Sequence, residues 1–170
     1  HVDHIKGLSV FLKRNKIPVY ASAGTILELK EKGVLTDCHI DFTVNDDGVE
    51  IGDMLIKPFK TSHDCADGRG YVITGNDGST KVAVATDTGV VTPEIMNSIT
   101  GCKLVYIESN HDVNMLKTGP YYYELKKRIL SDKGHLSNDA CASVLKTLVN
   151  NGTTQFILAH LSPENNTPHL

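Results

Sequence analysis

Six residues of this chain have side chains of the kinds that bind metals, and their positions in the sequence indicate that folding brings them together. The chain opens with the residues HVDH, which place two imidazoles and a carboxylate within four positions. His63, Asp87 and His160 each end an apolar run. Imidazole nitrogens and carboxylate oxygens bind divalent transition metals, and the two oxygens of Asp87 suit a bridge between two ions. The pattern predicts a dinuclear metal hydrolase.

Strand-like and helix-like segments alternate between these residues and must position them. Apolar periodicity and capping residues predict helices at residues 5–15, 22–31, 93–99, 121–130 and 138–150, and strands at 17–20, 39–44, 49–59, 71–74, 81–86, 103–107 and 154–159. Antiparallel strands early and strand–helix alternation later predict a mixed α/β layered domain. We expect residues 1–170 to form one domain.

The composition narrows the class of protein. The 170 residues are 40% hydrophobic with a net charge of −3, as in a soluble globular domain rather than a disordered chain. No apolar run is long enough to span a membrane, so no membrane partner is expected. Four scattered cysteines favour a reducing cytoplasm. Without a global basic field, a polyanion would have to be held locally by metal ions and a small basic patch.

The ligand pattern resembles that of the metallo-β-lactamase fold. His1, Asp3 and His4 resemble the second half of its HxHxDH motif, and the later three residues match its remaining ligand motifs in order. Further motifs are similar to those of the YycJ/WalJ family, a bacterial branch regarded as DNA exonucleases: SHD at 62–64, DTG at 87–89, ESNHD at 108–112, GHLSN at 134–138 and AHLSPENN at 159–166. The resemblance implies an αββα sandwich with two Zn or Mn ions, or Fe, acting on DNA that is single-stranded or has a free end.

This resemblance also implies roles for individual residues. One ion would be held by His1, His63 and Asp87, and the second by Asp3, His4, Asp87 and His160. Asp3 is in addition a candidate base. His135 is expected to assist phosphate binding and leaving-group protonation, with Glu108 orienting it. The alternative for this pair is a histidine in a loop before a helix and a glutamate at a strand end.

The chain departs from the family pattern at both ends. The first histidine of HxHxDH would lie two positions before His1, and the family's N-terminal strands and C-terminal end have no counterpart. The expectation is therefore an αββα sandwich that is incomplete at both ends.

Three functions follow as hypotheses. The first is a 5′→3′ DNA exonuclease that uses a metal-activated water. The second is a hydrolase of a small ester, lactone or thioester, which would need an apolar pocket. The third is a non-catalytic binding or regulatory module. The basic and aromatic stretch at residues 117–128 would grip a single strand in the first case, or would form an amphipathic helix with buried tyrosines and solvated cations.

Overall fold

The structure is a computed structural model and describes residues 1–169. In chain order the elements are α1 (Val2–Ile5), α2 (Leu8–Arg14), β1 (Val19–Ala21), α3 (Ala23–Glu31), β2 (Asp41–Thr43), β3 (Val49–Ile51), β4 (Met54–Lys60), β5 (Arg69–Gly75), β6 (Lys81–Ala85), α4 (Pro93–Ile99), β7 (Leu104–Glu108), α5 (Val113–Thr118), α6 (Tyr123–Ile129), α7 (Asn138–Asn150) and β8 (Gln155–Ala159). Among these helices none combines the length and apolar character that a bilayer crossing requires.

A mixed sheet determines where the predicted ligands lie. Its six strands follow the order β3-β4-β5-β6-β7-β8, antiparallel as far as β6 and parallel from β6 to β8. Because β4 and β6 both run antiparallel to β5, β4 points the same way as β6, β7 and β8. The carboxyl ends of these four strands therefore meet at one edge of the sheet. The residues that follow them there include His63, Asp87 and His160, and Glu108 is the last residue of β7.

Two hydrophobic clusters support this arrangement. The larger joins the six-stranded sheet to α4 and α7 through buried residues such as Ile95, Ile107 and Leu148. The smaller lies near a two-stranded parallel sheet of β1 and β2, where Leu12 and Leu29 pack together. Helices and two sheets thus form the layers that the alternating sequence pattern predicts.

Most predicted elements are present, and two were predicted with the wrong form. The helix predicted at 5–15 is divided into α1 and α2, because Gly7 forms the N-cap of a new helix. The strand predicted at 49–59 is the hairpin β3–β4, since Gly52 adopts a φ of 60° and reverses the chain. Helix α5 was not predicted. It begins where the Asp112 carboxylate accepts the Met115 N–H at 2.7 Å.

A tight turn after α6 supports the sheet edge. Gly134 lies so close to the end of α6 that a Cβ at this position would clash with the carbonyl oxygens of Arg128 and Ile129. Its own carbonyl accepts a hydrogen bond from Nδ1 of His63 at 2.9 Å. The glycine is therefore needed for close packing of backbone against backbone, next to a predicted ligand.

We expect Gly134→Ala to lower the free energy of unfolding by about 1–3 kcal/mol, because the added methyl must displace backbone rather than a flexible side chain. Urea denaturation of the purified chain measures this. Gly75→Ala is the matched control, since a Cβ there makes only ordinary contacts, the nearest at 3.5 Å, and it should change stability by no more than about 0.5 kcal/mol. Equal effects of the two substitutions would contradict the packing argument.

Candidate metal centre

All six predicted metal ligands lie together at the carboxyl edge of the sheet. Three are supplied by the first four residues, at the start of α1, and the others by the segments after β4, β6 and β8. The set is His1, Asp3, His4, His63, Asp87 and His160, and hydrogen-bond or ion-pair distances connect every member to at least one other.

Two of these ligands have unusual backbone conformations. Asp87 and His160 both have a φ of 55°, and among residues 1–169 they are the only non-glycine residues with positive φ. This left-handed conformation costs on the order of 1–3 kcal/mol and persists where the surrounding structure enforces it, often at functional sites. Asp87 lies two residues after the end of β6 and His160 directly after the end of β8, and both side chains contact other members of the cluster.

The spacing of donor atoms around His63 fits a shared ion. Two donors that each bind one ion at about 2.1 Å with roughly tetrahedral angles are about 3.4 Å apart. Nε2 of His63 lies 3.1 Å from Nδ1 of His1 and 3.4 Å from Oδ1 of Asp87. The predicted first ligand group therefore already has the separations that a metal would require.

The second predicted group has similar separations. Oδ2 of Asp87 lies 3.0 Å from Nε2 of His4, while its Oδ1 faces His63. Nε2 of His160 is 3.6 Å from Oδ2 of Asp3 and 3.8 Å from Oδ1 of Asp87. Asp87 thus lies between the two groups, with Oδ2 next to His4 and Oδ1 between His63 and His160.

Asp3 is the most exposed carboxylate of the cluster. Burial raises its pKa, but the charge of His4 and hydrogen bonds from its own N–H and from His160 outweigh burial and leave the pKa below its ordinary value. The carboxylate is therefore anionic and available as a ligand.

Carbonyl oxygens fix which nitrogen of two histidines faces the cluster. A carbonyl can only accept, so Nδ1 of His63 carries the proton that binds Gly134 O, and Nε2 is left for a metal. In the same way Nε2 of His1 donates to the carbonyl of Asp64 at 3.1 Å and leaves Nδ1 free. The residues present therefore fit two divalent ions.

Glu108 is a fully buried carboxylate behind the ligands. Its Oε1 accepts hydrogen bonds from Nδ1 of His135 at 2.6 Å and from Nδ1 of His160 at 2.7 Å. Its Oε2 accepts the N–H of Thr88 at 3.0 Å. Burial raises the pKa of Glu108, but the hydrogen bonds from the two histidines outweigh it and bring the pKa to about 2. The group is an anion that orients two imidazoles at once.

His135 lies between two ligand histidines. Its ring centroid is 4.9 Å from that of His63 and 5.1 Å from that of His160. Because Nδ1 is held by Glu108, Nε2 is the nitrogen left for a substrate or a proton. The predicted pair of His135 and Glu108 is therefore formed in the structure.

Asparagines support the His160 turn from behind. Asn110 Nδ2 donates to the His160 carbonyl at 2.7 Å, and Asn166 Nδ2 donates to the Asn110 carbonyl at 3.0 Å. Sequence analysis gave Asn110 no role, because an asparagine in a polar loop has no distinguishing pattern. Its hydrogen-bond partner, the carbonyl of His160, is distant in sequence and is brought close only by the fold.

The basic stretch at residues 117–128 differs from the interpretation as an amphipathic helix with buried tyrosines and solvated cations. Tyr122 and Tyr123 are 69% and 74% exposed and so do not pack on the core. Nζ of Lys126 donates to the carbonyls of Lys117 and Gly119, so this cation closes a turn. Arg128 forms an ion pair with Asp64 rather than lying free in solvent. Sequence reasoning missed Asp64 as a site residue, although it directly follows His63.

A cavity of about 670 Å³ opens beside the cluster. Its lining includes His1, His63 and Asp87, charged side chains such as Arg69, and apolar side chains such as Leu29 and Tyr71. The apolar part of this lining is what a small-molecule hydrolase would need next to the predicted ligands.

We expect metal binding to release a proton from His160. The hydrogen bond to Glu108, opposed by burial and aided by the charge of Asp87, raises the pKa of His160 to about 9. An ion must displace the proton from this imidazole, so the affinity for metal should fall as pH decreases from about 9 towards neutrality. Calorimetric titration with Mn²⁺ in two buffers of different ionisation enthalpy measures the proton released. An affinity independent of pH over this range would contradict the expectation.

Comparison with known proteins shows that this chain is similar to two bacterial proteins. The chain is 38% identical over 172 residues to the exodeoxyribonuclease YycJ of Bacillus anthracis, an alignment that covers 100% of the chain and 64% of that protein. It is 34% identical over 175 residues to the exodeoxyribonuclease WalJ of Streptococcus pneumoniae, with the same coverage. The chain thus spans about 64% of the length of these curated relatives.

The fold has counterparts among solved structures. A diphosphatase of the PhnP family superposes with a TM-score of 0.66 at 17% identity, covering 99% of this chain and 57% of that one. Residues 1–161 match the family described as the β-lactamase superfamily domain. The expected metallo-β-lactamase fold is confirmed, and the chain belongs to the β-lactamase superfamily.

Proposed function

We propose that this chain carries the metal centre of a phosphodiesterase that removes nucleotides from a DNA end in the 5′→3′ direction. The observation that carries the proposal is the hydrogen bond between Nδ1 of His135 and Oε1 of Glu108 at 2.6 Å. It holds His135 between two of the predicted ligand histidines, His63 and His160. An imidazole held there suits a reaction in which the leaving oxygen must be protonated. The names of the two exodeoxyribonuclease relatives support DNA as the substrate.

In this proposal the ligand residues hold two divalent ions, Zn or Mn with Fe as an alternative. Such ions supply positive charge that acidifies water and offsets the charge developing on the phosphate. Asp87 joins the two ligand groups, and Asp3 accepts the proton of the attacking water. His135 uses its free Nε2 to protonate the leaving oxygen, while the Glu108 anion stabilises its charged form. Glu108 also orients His160, so one carboxylate positions both a metal ligand, His160, and the general acid, His135.

The exposed tyrosines support a single strand as the substrate. Tyr122 and Tyr123 stand side by side at the start of α6, and Arg128 near its other end pairs with Asp64 beside the cluster. Aromatic rings in solvent offer stacking surfaces that any base can use. The bases at a DNA end could thus stack on these two tyrosines. The four cysteines are free thiols, in keeping with a reducing compartment, and we propose the cytoplasm.

The proposal is tested with end-labelled single-stranded DNA and Mn²⁺, using the full-length protein that contains this chain. Stepwise shortening is expected for the wild type, and the position of the label gives the direction of digestion. Asp87→Asn removes the bridging charge and should abolish shortening. Two bound ions without any digestion would refute the nuclease assignment.

A second candidate function is hydrolysis of a small ester, lactone or thioester, which the apolar wall of the cavity favours. Hydrolysis of a nitrophenyl phosphodiester is therefore compared with hydrolysis of a lactone. Faster turnover of the lactone would transfer the assignment to this class.

We expect His135→Ala to lower turnover of DNA at least about tenfold, because a general acid contributes on the order of 10² or more. Metal content should be unchanged, since His135 is not among the proposed ligands. Elemental analysis and single-turnover kinetics measure the two effects. Unchanged turnover would remove His135 from the mechanism.

We expect the double variant Tyr122→Ala, Tyr123→Ala to raise the KM for single-stranded DNA roughly tenfold, because stacking on an aromatic ring is worth about 1–3 kcal/mol per base. Turnover of a nitrophenyl phosphodiester should be unaffected, since this substrate has no base to stack. A matched double change at Val10 and Phe11, also exposed but on α2, is the control. Equal losses with both substrates would show that the tyrosines do not bind bases.

A further inference from the structure

The side chain of Asn166 contacts two other segments of the chain at once. Its Nδ2 donates to the carbonyls of Ser109 at 2.7 Å and Asn110 at 3.0 Å, in the segment that follows β7. The same nitrogen donates to Oδ1 of Asn138, the first residue of α7, at 3.0 Å. Asn166 itself belongs to the segment that follows β8 and is 7% exposed. One buried amide therefore joins three segments.

Asn138 forms a second hydrogen bond with this amide. Its Nδ2 donates to Oδ1 of Asn166 at 3.0 Å, so the two side-chain amides form a reciprocal pair. Oδ1 of Asn166 also accepts the N–H of Thr167 at 2.9 Å, and Oδ1 of Asn138 accepts the hydroxyl of Ser109 at 2.8 Å. Because the backbone carbonyls near Nδ2 of Asn166 can only accept, the orientation of this amide is fixed.

The three joined segments carry the three side chains of the Glu108 hydrogen-bond group. Glu108 is the last residue of β7, His135 lies in the segment before α7, and His160 directly follows β8. The hydrogen bonds that unite them, at 2.6 Å from His135 and 2.7 Å from His160, depend on the relative position of these segments. Asn166 is in contact with all three parts of the chain whose position matters.

The pairing of the segments after β7 and before α7 is short. They meet in an isolated bridge of His111 and Ser137 rather than in a regular strand pair. A short pairing with few hydrogen bonds opens more readily than a long one. The amide pair of Asn138 and Asn166 adds an attachment close to this bridge, three residues along the chain from His135.

We propose that Asn166, paired with Asn138, is the positioning residue of His135. The inference rests on the proposed function, in which His135 is the general acid. The amide keeps the segment before α7 against the end of β7, so that Nδ1 of His135 stays in its hydrogen bond with Glu108 and Nε2 keeps its direction. A neutral amide suits this role, because it supplies donors and acceptors without adding a charge beside the Glu108 anion.

The phenyl and nitrophenyl esters of thymidine 5′-phosphate test the proposal, with Mn²⁺ and the full-length protein that contains this chain. Phenolate is a poor leaving group that needs a proton, whereas nitrophenolate leaves without one, so the ratio of the two turnovers reports the general acid. Asn166→Ala is expected to lower turnover of the phenyl ester about tenfold more than turnover of the nitrophenyl ester. Asn114→Ala, which changes an exposed asparagine on α5, is the control and should leave the ratio unchanged.

Asn138→Ala is a milder variant for the case that Asn166→Ala does not fold. Alanine is a good helix former, and Oδ1 of Asn166 keeps the N–H of Thr167 as a partner. The ratio should change in the same direction, by about threefold, because only one attachment of the network is lost.

The double variant His135→Ala, Asn166→Ala separates positioning from general damage. If Asn166 acts through His135, the double variant has the same ratio as His135→Ala alone, since the acid is already absent. A further loss in the double variant would overturn the proposal. Equal losses with both esters would also overturn it, because they would indicate a purely structural role.

A spectroscopic readout does not depend on activity. The downfield proton resonance of Nδ1–H in His135, followed with isotope-labelled histidine, reports its hydrogen bond to Glu108. Asn166→Ala should shift or broaden this resonance, and Asn114→Ala should not. A wild type that binds metal but cleaves neither ester would refute the phosphodiesterase. The resonance would then decide alone, and an unchanged resonance in Asn166→Ala would overturn the positioning role.

Discussion

The buried carboxylate of Glu108 is the interaction on which the site depends. A lone anion in the interior would be strongly unfavourable, so its presence requires compensation from every side. Two imidazoles and two backbone N–H groups supply it, and they come from the turn after β6, the segment before α7 and the turn after β8. The hydrogen bonds that compensate the buried charge of Glu108 thus connect three parts of the chain that are separate in sequence.

Around this anion, the direction of the strands determines where the other side chains of the cluster lie. Because β5 runs antiparallel to both of its neighbours, β4 ends at the same edge of the sheet as the three parallel strands β6, β7 and β8. Left-handed residues at Asp87 and His160 then end two of the strands without a long loop. Carbonyl groups of Gly134 and Asp64 orient imidazoles without using any side chain. The backbone conformation and the backbone carbonyl groups therefore largely determine how the predicted ligand side chains are oriented.

The sequence was sufficient to predict that the six candidate ligands lie together and that Glu108 and His135 form a pair, because metal chemistry restricts residue type and strand ends restrict position. Long elements such as α7 were predicted at their observed bounds for a similar reason, since apolar periodicity is strong over many residues. Short elements were less predictable: a single glycine decided whether residues 5–15 formed one helix or two. The ion pair of Arg128 with Asp64 could not be predicted, because a cation in a basic run looks the same whether it faces solvent or a carboxylate. Only the fold brings Asp64, sixty-four positions earlier, against it.

Helix α1 has no buried residue, and its side chains reach the sheet mainly through the ligand cluster. An ion that binds His4, Asp87 and His160 would therefore act as a cross-link between α1 and the segments that follow β6 and β8. Any ion that binds only the folded state also adds stability by mass action, about 2.7 kcal/mol at a hundred times its Kd. Metal supply would then govern how firmly α1 is attached to the edge of the sheet.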